Sequence, residues 1–199
     1  TITVANTNDA PSFSSSPVLT AQEDDVYTYT AVGTDMDAGD TFTLGSSSVP
    51  SWLTFTASTG VLTGTPTNSD VGRPRVTLTV TDAAGATGTQ TFTITVSNAN
   101  DAPTVTSTAI TSATEDSVYT YTLTVSDADV GDTLTMAGTT VPSWLTFTAS
   151  TGVLTGTPTN DEVGDHSVVL TVTDAAGESA TDSFTITVAN TNDAPTVTS

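Results

Sequence analysis

The chain has 199 residues, and its 22 Asp and Glu against 2 Lys and Arg give a formal net charge of -20. With no basic patch to neutralise phosphates or meet an anionic lipid surface, nucleic acid and direct membrane contact are excluded as partners. No apolar run approaches the roughly 20 residues of a spanning helix, Cys is absent and only 12% of residues are charged, which excludes a membrane span, a disulfide scaffold and a highly charged disordered tail.

Thr occupies 49 positions. It is β-branched and strand-favouring, and it alternates with apolar residues in runs such as Val76-Thr77-Leu78-Thr79-Val80-Thr81, the period of a half-buried strand. In chain order the alternation predicts strands at residues 12 to 19, 26 to 34, 41 to 46, 52 to 57, 61 to 65, 74 to 81 and 89 to 97. Ser58-Thr59-Gly60 and Asp82-Ala83-Ala84-Gly85 read as hairpin connections, and Val49-Pro50 breaks the chain before the Trp52 strand. Seven short strands with turns at this spacing predict an all-β, two-sheet sandwich of immunoglobulin type. Its expected core is Tyr27 or Val26, with Trp52, Leu53, Phe55, Leu62, Leu78, Val80, Phe92 and Ile94.

The second half repeats the first. Residues 49 to 68 recur unchanged as 141 to 160, and Asn-x-Asn-Asp-Ala-Pro stands at residues 6, 98 and 190, a spacing of 92. Residues 9–100 and 101–192 are therefore expected as two modules, 1–8 as the end and linker of a preceding repeat, with Thr1 to Val4 as its last strand, and 193–199 as the start of the next. No Met or signal peptide opens the sequence, as expected of a slice from a longer array.

The acids cluster at module ends. Besides the linkers there are Glu23-Asp24, the string Asp35-Met36-Asp37-Ala38-Gly39-Asp40 and Asp82, with counterparts 92 residues on at Glu115-Asp116, Asp127 to Asp132, and Asp174. Carboxylate and amide oxygens grouped on loops, with one imidazole and no thiol, select a hard cation, and Ca²⁺ accepts the irregular six-to-eight oxygen shell that loops provide. An EF-hand does not fit, because Gly39 falls at position 5 rather than 6 and position 12 is Ser46.

These motifs resemble cadherin-like repeats, most closely the dystroglycan-type cadherin-like modules of bacterial surface or secreted proteins. The resemblance covers both modules and implies tandem cadherin-like sandwiches with Ca²⁺ at the junctions. Carried over by position, it implies Glu23, Asn98, Asn100, Asp101, Asp127, Asp129 and Asp174 as ligands at the central junction. The equivalent sets are Asn8, Asp9, Asp35, Asp37 and Asp82 before it, and Glu115, Asn192 and Asp193 after it. Asn98 stands where cadherins have Asp, Ala102 replaces the second linker Asn, and the family's Asp-Arg-Glu triplet is missing near Thr67 to Asp70, so fewer or weaker ions per junction are expected.

Catalysis has little to work with. His166 is the only His and its counterpart is Pro74, while the absence of Cys and Lys removes thiol and Schiff-base chemistry. The sequence is read as a non-catalytic, Ca²⁺-stiffened extracellular or cell-surface spacer in an adhesin, with neighbouring repeats as partners and polysaccharide or another surface protein as further candidates. The alternative is a carbohydrate-binding module pair presenting Trp52 and Trp144. In Pro-Ser-Trp-Leu-Thr-Phe strand alternation puts Trp opposite Leu and leaves open which of them faces outward.

Overall fold

The structure is a computed structural model, which describes residues 7–37, 39–195 and 197. The expected strand at Thr1 to Val4 lies outside these. The chain forms two compact units divided between Ala99 and Asn100. Among the described residues no helix is long and apolar enough to cross a membrane.

Unit one runs β1 (Ser12–Phe13), β2 (Thr20–Gln22), β3 (Tyr27–Thr30), β4 (Gly33–Thr34), β5 (Phe42–Ser48), β6 (Leu53–Thr56), β7 (Val61–Gly64), a 3-10 turn at Asn68–Asp70, β8 (Arg75–Asp82), β9 (Thr87–Thr93) and β10 (Thr95–Ser97). Unit two runs β11 (Thr104–Val105), β12 (Ser112–Thr114), β13 (Tyr119–Thr122), β14 (Val125–Ser126), β15 (Thr135–Thr140), β16 (Leu145–Thr148), β17 (Val153–Gly156), a 3-10 turn at Asn160–Glu162, β18 (Gly164–Thr173) and β19 (Ser179–Ala189).

Unit two pairs as β12-β19-β18-β15 and β13-β17-β16, with β11 against β14, and unit one repeats the plan with its long sheet interrupted. Alternation does what the Thr pattern requires. On β8, Val76, Leu78 and Val80 are fully buried while Thr77, Thr79 and Thr81 stay half-exposed on the other face. The core of unit one lies between the sheets, where Leu62, Tyr27 and Tyr29 meet Leu78, Phe92 and Ile94. Leu154, Tyr119 and Tyr121 meet Leu170 and Ile186 in unit two.

Two of the seven expected strands are broken into pieces and a third, at 12 to 19, is reduced to its first two residues, each for a local reason. The run from 26 to 34 changes sheets at Ala31, whose N–H turns to Gly60 O at 2.8 Å before β4 pairs with β1. Gly60 has φ +70°, and a Cβ there would lie 2.3 Å from Ala31 O, so the crossing needs glycine. The run from 12 to 19 is not one strand, and β2 follows it in a parallel pairing with β10. Between β1 and β2 the chain is held by side chains, with Gln90 Nε2 donating to Ser15 O and the Tyr27 hydroxyl to Val18 O, both at 2.8 Å. The last run breaks between β9 and β10 opposite Pro74, which has no N–H for the ladder; His166 takes that place in unit two, pairs with Ile186, and β19 runs unbroken.

Of the alternatives Tyr27 and Val26, Tyr27 is the buried one and Val26 is exposed. The core differs from expectation at two places: Trp52 and Phe55 are half-buried against it rather than within it. Trp52 sits in the turn after Pro50, before β6 begins, so strand parity does not govern it. Its ring packs edge-on against Tyr27 at 5.8 Å, and Trp144 meets Tyr119 likewise at 5.9 Å.

Burial pushes the Tyr27, Tyr119 and Tyr121 hydroxyls up to about 12. Because the folded values exceed the unfolded value near 10, the stability these groups contribute is complete below pH ~10 and is lost as pH rises through about 12. Phenolate absorbance should therefore show Tyr27, Tyr119 and Tyr121 ionising only as the fold is lost at strongly alkaline pH. Titration of these three near pH 10 in the folded protein would contradict their burial.

Candidate metal centre

Each unit brings three carboxylates together at one end. In unit one the loop after β4 folds on itself, Asp35 Oδ1 accepting the Asp37 N–H at 2.9 Å and Asp37 O the Asp40 N–H at 3.1 Å. Asp40 Oδ1 then takes the Thr41 N–H at 2.8 Å. This places one oxygen each of Asp35 and Asp40 with one of Asp82, from the end of β8, all within 4.8 Å of one another. Asp127, Asp132 and Asp174 form the same group in unit two.

Hydrogen bonding leaves these groups incomplete. Asp174 Oδ1 caps the β18–β19 turn through the Gly177 and Glu178 N–H groups at 2.6 and 2.8 Å, and its Oδ2 takes the Asn100 amide at 2.8 Å. Asp82 is held likewise by Ala86 N–H and the Asn8 amide, at 2.8 and 2.9 Å. The Asn amide, followed by the turn N–H groups, holds both carboxyls below the usual range against the opposing effect of burial. In contrast, Asp35 Oδ2, Asp127 Oδ2 and Asp132 Oδ2 are buried with no hydrogen-bond partner. Like charges this close repel one another, and those with a buried, unpaired oxygen are also poorly solvated. A Ca²⁺ ion with oxygens at about 2.3 to 2.6 Å would place opposite ligands roughly 5 Å apart, and the 4.8 Å groups fit within that span.

The other expected ligands divide by position. Asp37 and Asp129 each use Oδ2 to hold linker backbone, accepting the Asp9 and Asp101 N–H groups at 2.8 and 2.9 Å. Neither joins the three-carboxylate group of its own unit, although Asp129 Oδ1 is buried without a partner. Asn8 and Asn100 face Asp82 and Asp174, and the same amides turned over would offer Oδ1 to a cation. Glu23 and Glu115 are 1% exposed; Oε1 accepts Ala99 N–H and Thr191 N–H respectively, and Oε2 has no partner. The residue after each, Asp24 or Asp116, has φ near +60°, in the left-handed region. Asn98, Asn192 and Asp193 are exposed; the two Asn amides bond the backbone beside them, and Asp193 accepts from the Asn160 amide.

Asp40 and Asp132 are members of the groups that the expected ligand set omits. Their signal was the last acid of Asp-x-Asp-x-Gly-Asp, which the cadherin-type motif does not contain. Asp70 is occupied elsewhere, its carboxylate accepting from the Thr67 N–H and hydroxyl at the 3-10 turn. His166 Nε2–H donates to Glu162 O, and the ring packs against Trp144.

Residues 10–97 and 102–189 each match the family model described as "Putative Ig domain". The "Serine-rich adhesin for platelets" of Staphylococcus aureus is 31% identical over 136 residues, 68% of this chain but 6% of the adhesin. Among solved structures, PcdhgB3 EC1-4 is similar with a TM-score of 0.68 and 17% identity over 95% of this chain and 52% of that one, a likeness of fold. An endo-fucoidan hydrolase of glycoside hydrolase family 107 is 28% identical over 92% of this chain and 29% of that one, with a TM-score of 0.42 that supports no functional comparison.

Proposed function

Because the chain belongs to the Putative Ig domain family, as two tandem copies with a cadherin-like fold and a similarity to a staphylococcal adhesin, we propose that it is a non-catalytic, Ca²⁺-binding spacer of an extracellular or cell-surface adhesin. The observation that carries the reading is the recurrence, 92 residues apart, of three carboxylates within 4.8 Å, among which Asp35 in unit one and Asp127 and Asp132 in unit two each keep a buried oxygen without a hydrogen-bond partner. Asp35, Asp40 and Asp82 would hold an ion in unit one, and Asp127, Asp132 and Asp174 in unit two, with Asn8 and Asn100 turning an amide oxygen inward. The proposal extends to the linker, where Asn98, Asn100 and Asp101, with Glu23, Asp127 and Asp129, would use Ca²⁺ to restrict bending. Trp52 and Trp144 pack against the core, which favours a spacer over a sugar platform.

Ca²⁺ should raise the melting temperature. At ten times the dissociation constant, mass action stabilises by about 1.4 kcal/mol per site, several degrees for a unit of this size. Identical melting curves in chelator and in millimolar Ca²⁺ would refute the site. Stiffening has a separate readout: small-angle scattering in Ca²⁺ should show Asp101→Ala bending more freely than the parent and Asp9→Ala not, and equal maximum dimensions would remove the linker from the proposal.

A further inference from the structure

We propose that a second copy of this chain docks on one sheet face, the outer face of β8 in unit one meeting the outer face of β18 in unit two of another molecule. The first observation is a carboxylate-free surface in a protein of charge -20. Outward on β8 stand Arg75, Thr77, Thr79 and Thr81, opposite Thr93, Thr91, Thr89 and Thr87 of β9. On the other side, Thr43 and Gly45 of β5 lie opposite Thr81 and Thr79. The equivalent row on β18 is Asp165, Ser167, Val169, Thr171 and Thr173, and Asp165 is its single acid.

The second observation is where the two near-identical units differ. The chain's only cations, Arg73 and Arg75, are exposed at the head of this row, and the residues 92 positions on are Asp165 and Ser167. Ser69, in the preceding 3-10 turn, is likewise matched by Asp161, also exposed. Two faces of the same hydroxyl pattern therefore end in opposite charge, so unit one complements unit two, while either face against its own kind brings like charges together. At about 0.15 M salt the Debye length is near 8 Å, so the remote negative charge is largely screened while contact pairs persist.

The face is small. Three strands about 4.8 Å apart and some seven residues long present roughly 300 Å², against about 800 Å² per partner in a standard complex. One contact is accordingly weak, and repetition along neighbouring arrays would multiply it. This inference does not depend on the cation sites.

Sedimentation equilibrium of the two-unit chain in Ca²⁺ and 0.15 M salt, up to about 1 mM, tests it. Reversible self-association is expected, weakened at least tenfold both in Arg73→Glu/Arg75→Glu and in Asp161→Lys/Asp165→Lys, and restored when these two variants are mixed. All four changes lie on exposed positions, and circular dichroism checks that each variant is folded. A monomer at every concentration, association indifferent to the substitutions, or a mixture that stays monomeric overturns the proposal. Association that appears only on adding a neutral polysaccharide puts sugar on the face and overturns it equally.

Discussion

Leu154→Ala should lower the melting temperature of unit two by roughly 10 °C or more and leave unit one where it was. Leu154 is fully buried on β17, the central strand of its sheet, paired with Tyr121 on β13 and Phe147 on β16. Truncation removes its transfer free energy and leaves a cavity among side chains that the ladders hold in place, at a cost of about 2 to 5 kcal/mol. For a domain of this size each kcal/mol is worth about 4 to 8 °C. Leu62→Ala should do the same to unit one, since Leu62 has the same burial and the same pairings on β7. Val118→Ala, at a residue 74% exposed, is the control and should change little. A shift of less than about 3 °C for Leu154→Ala would mean that the core is not organised around the central strand.

The second large effect should change sign with the medium. Asp132→Asn removes one of three mutually repelling carboxylates, and the new amide can donate to the Asp127 oxygen that now has no partner. In chelator this variant should melt several degrees above the parent. In millimolar Ca²⁺ it should melt below the parent, because a ligand charge has been lost from the cation shell. Asp40→Asn should behave the same way in unit one. A shift of one sign in both media would mean that the acids are a repulsive surface and no more.

Much of the fold could be read from the chain because one signal governs it. Where Thr alternates with Val, Leu, Phe and Ile, as on β8 and β9, period and burial agree, and the hairpins at Ser58-Thr59-Gly60 and Asp82 to Gly85 fall where turn chemistry puts them. What could not be read were the places where a strand changes partner. Alternation continues through Ala31 although the chain leaves β7 for β1 there, since the period reports which face a side chain occupies and not which strand lies beside it. The parallel pairing of β2 with β10, and of β12 with β19, is equally silent, being decided by residues far apart in the chain.

The acid groups show the same division. Asp35, Asp82, Asp127 and Asp174 followed from position in the repeat, whereas Asp40 and Asp132 meet them only because the loop doubles back through hydrogen bonds between its own residues. That folding depends on φ near +90° at Gly39 and Gly131, a backbone property that the acid spacing did not express. Trp52 escaped for a related reason: the turn after Pro50 takes it out of the strand register.

Isothermal titration of the metal-free chain with CaCl₂, for the parent and for Asp40→Asn/Asp132→Asn, bears most directly on the cation reading. Saturable binding with at least one ion per unit is expected in the parent, and the loss of those two ions in the double variant, with the fold intact by circular dichroism. Absence of saturable binding in the parent, or an undiminished stoichiometry and affinity in the double variant, would contradict that reading.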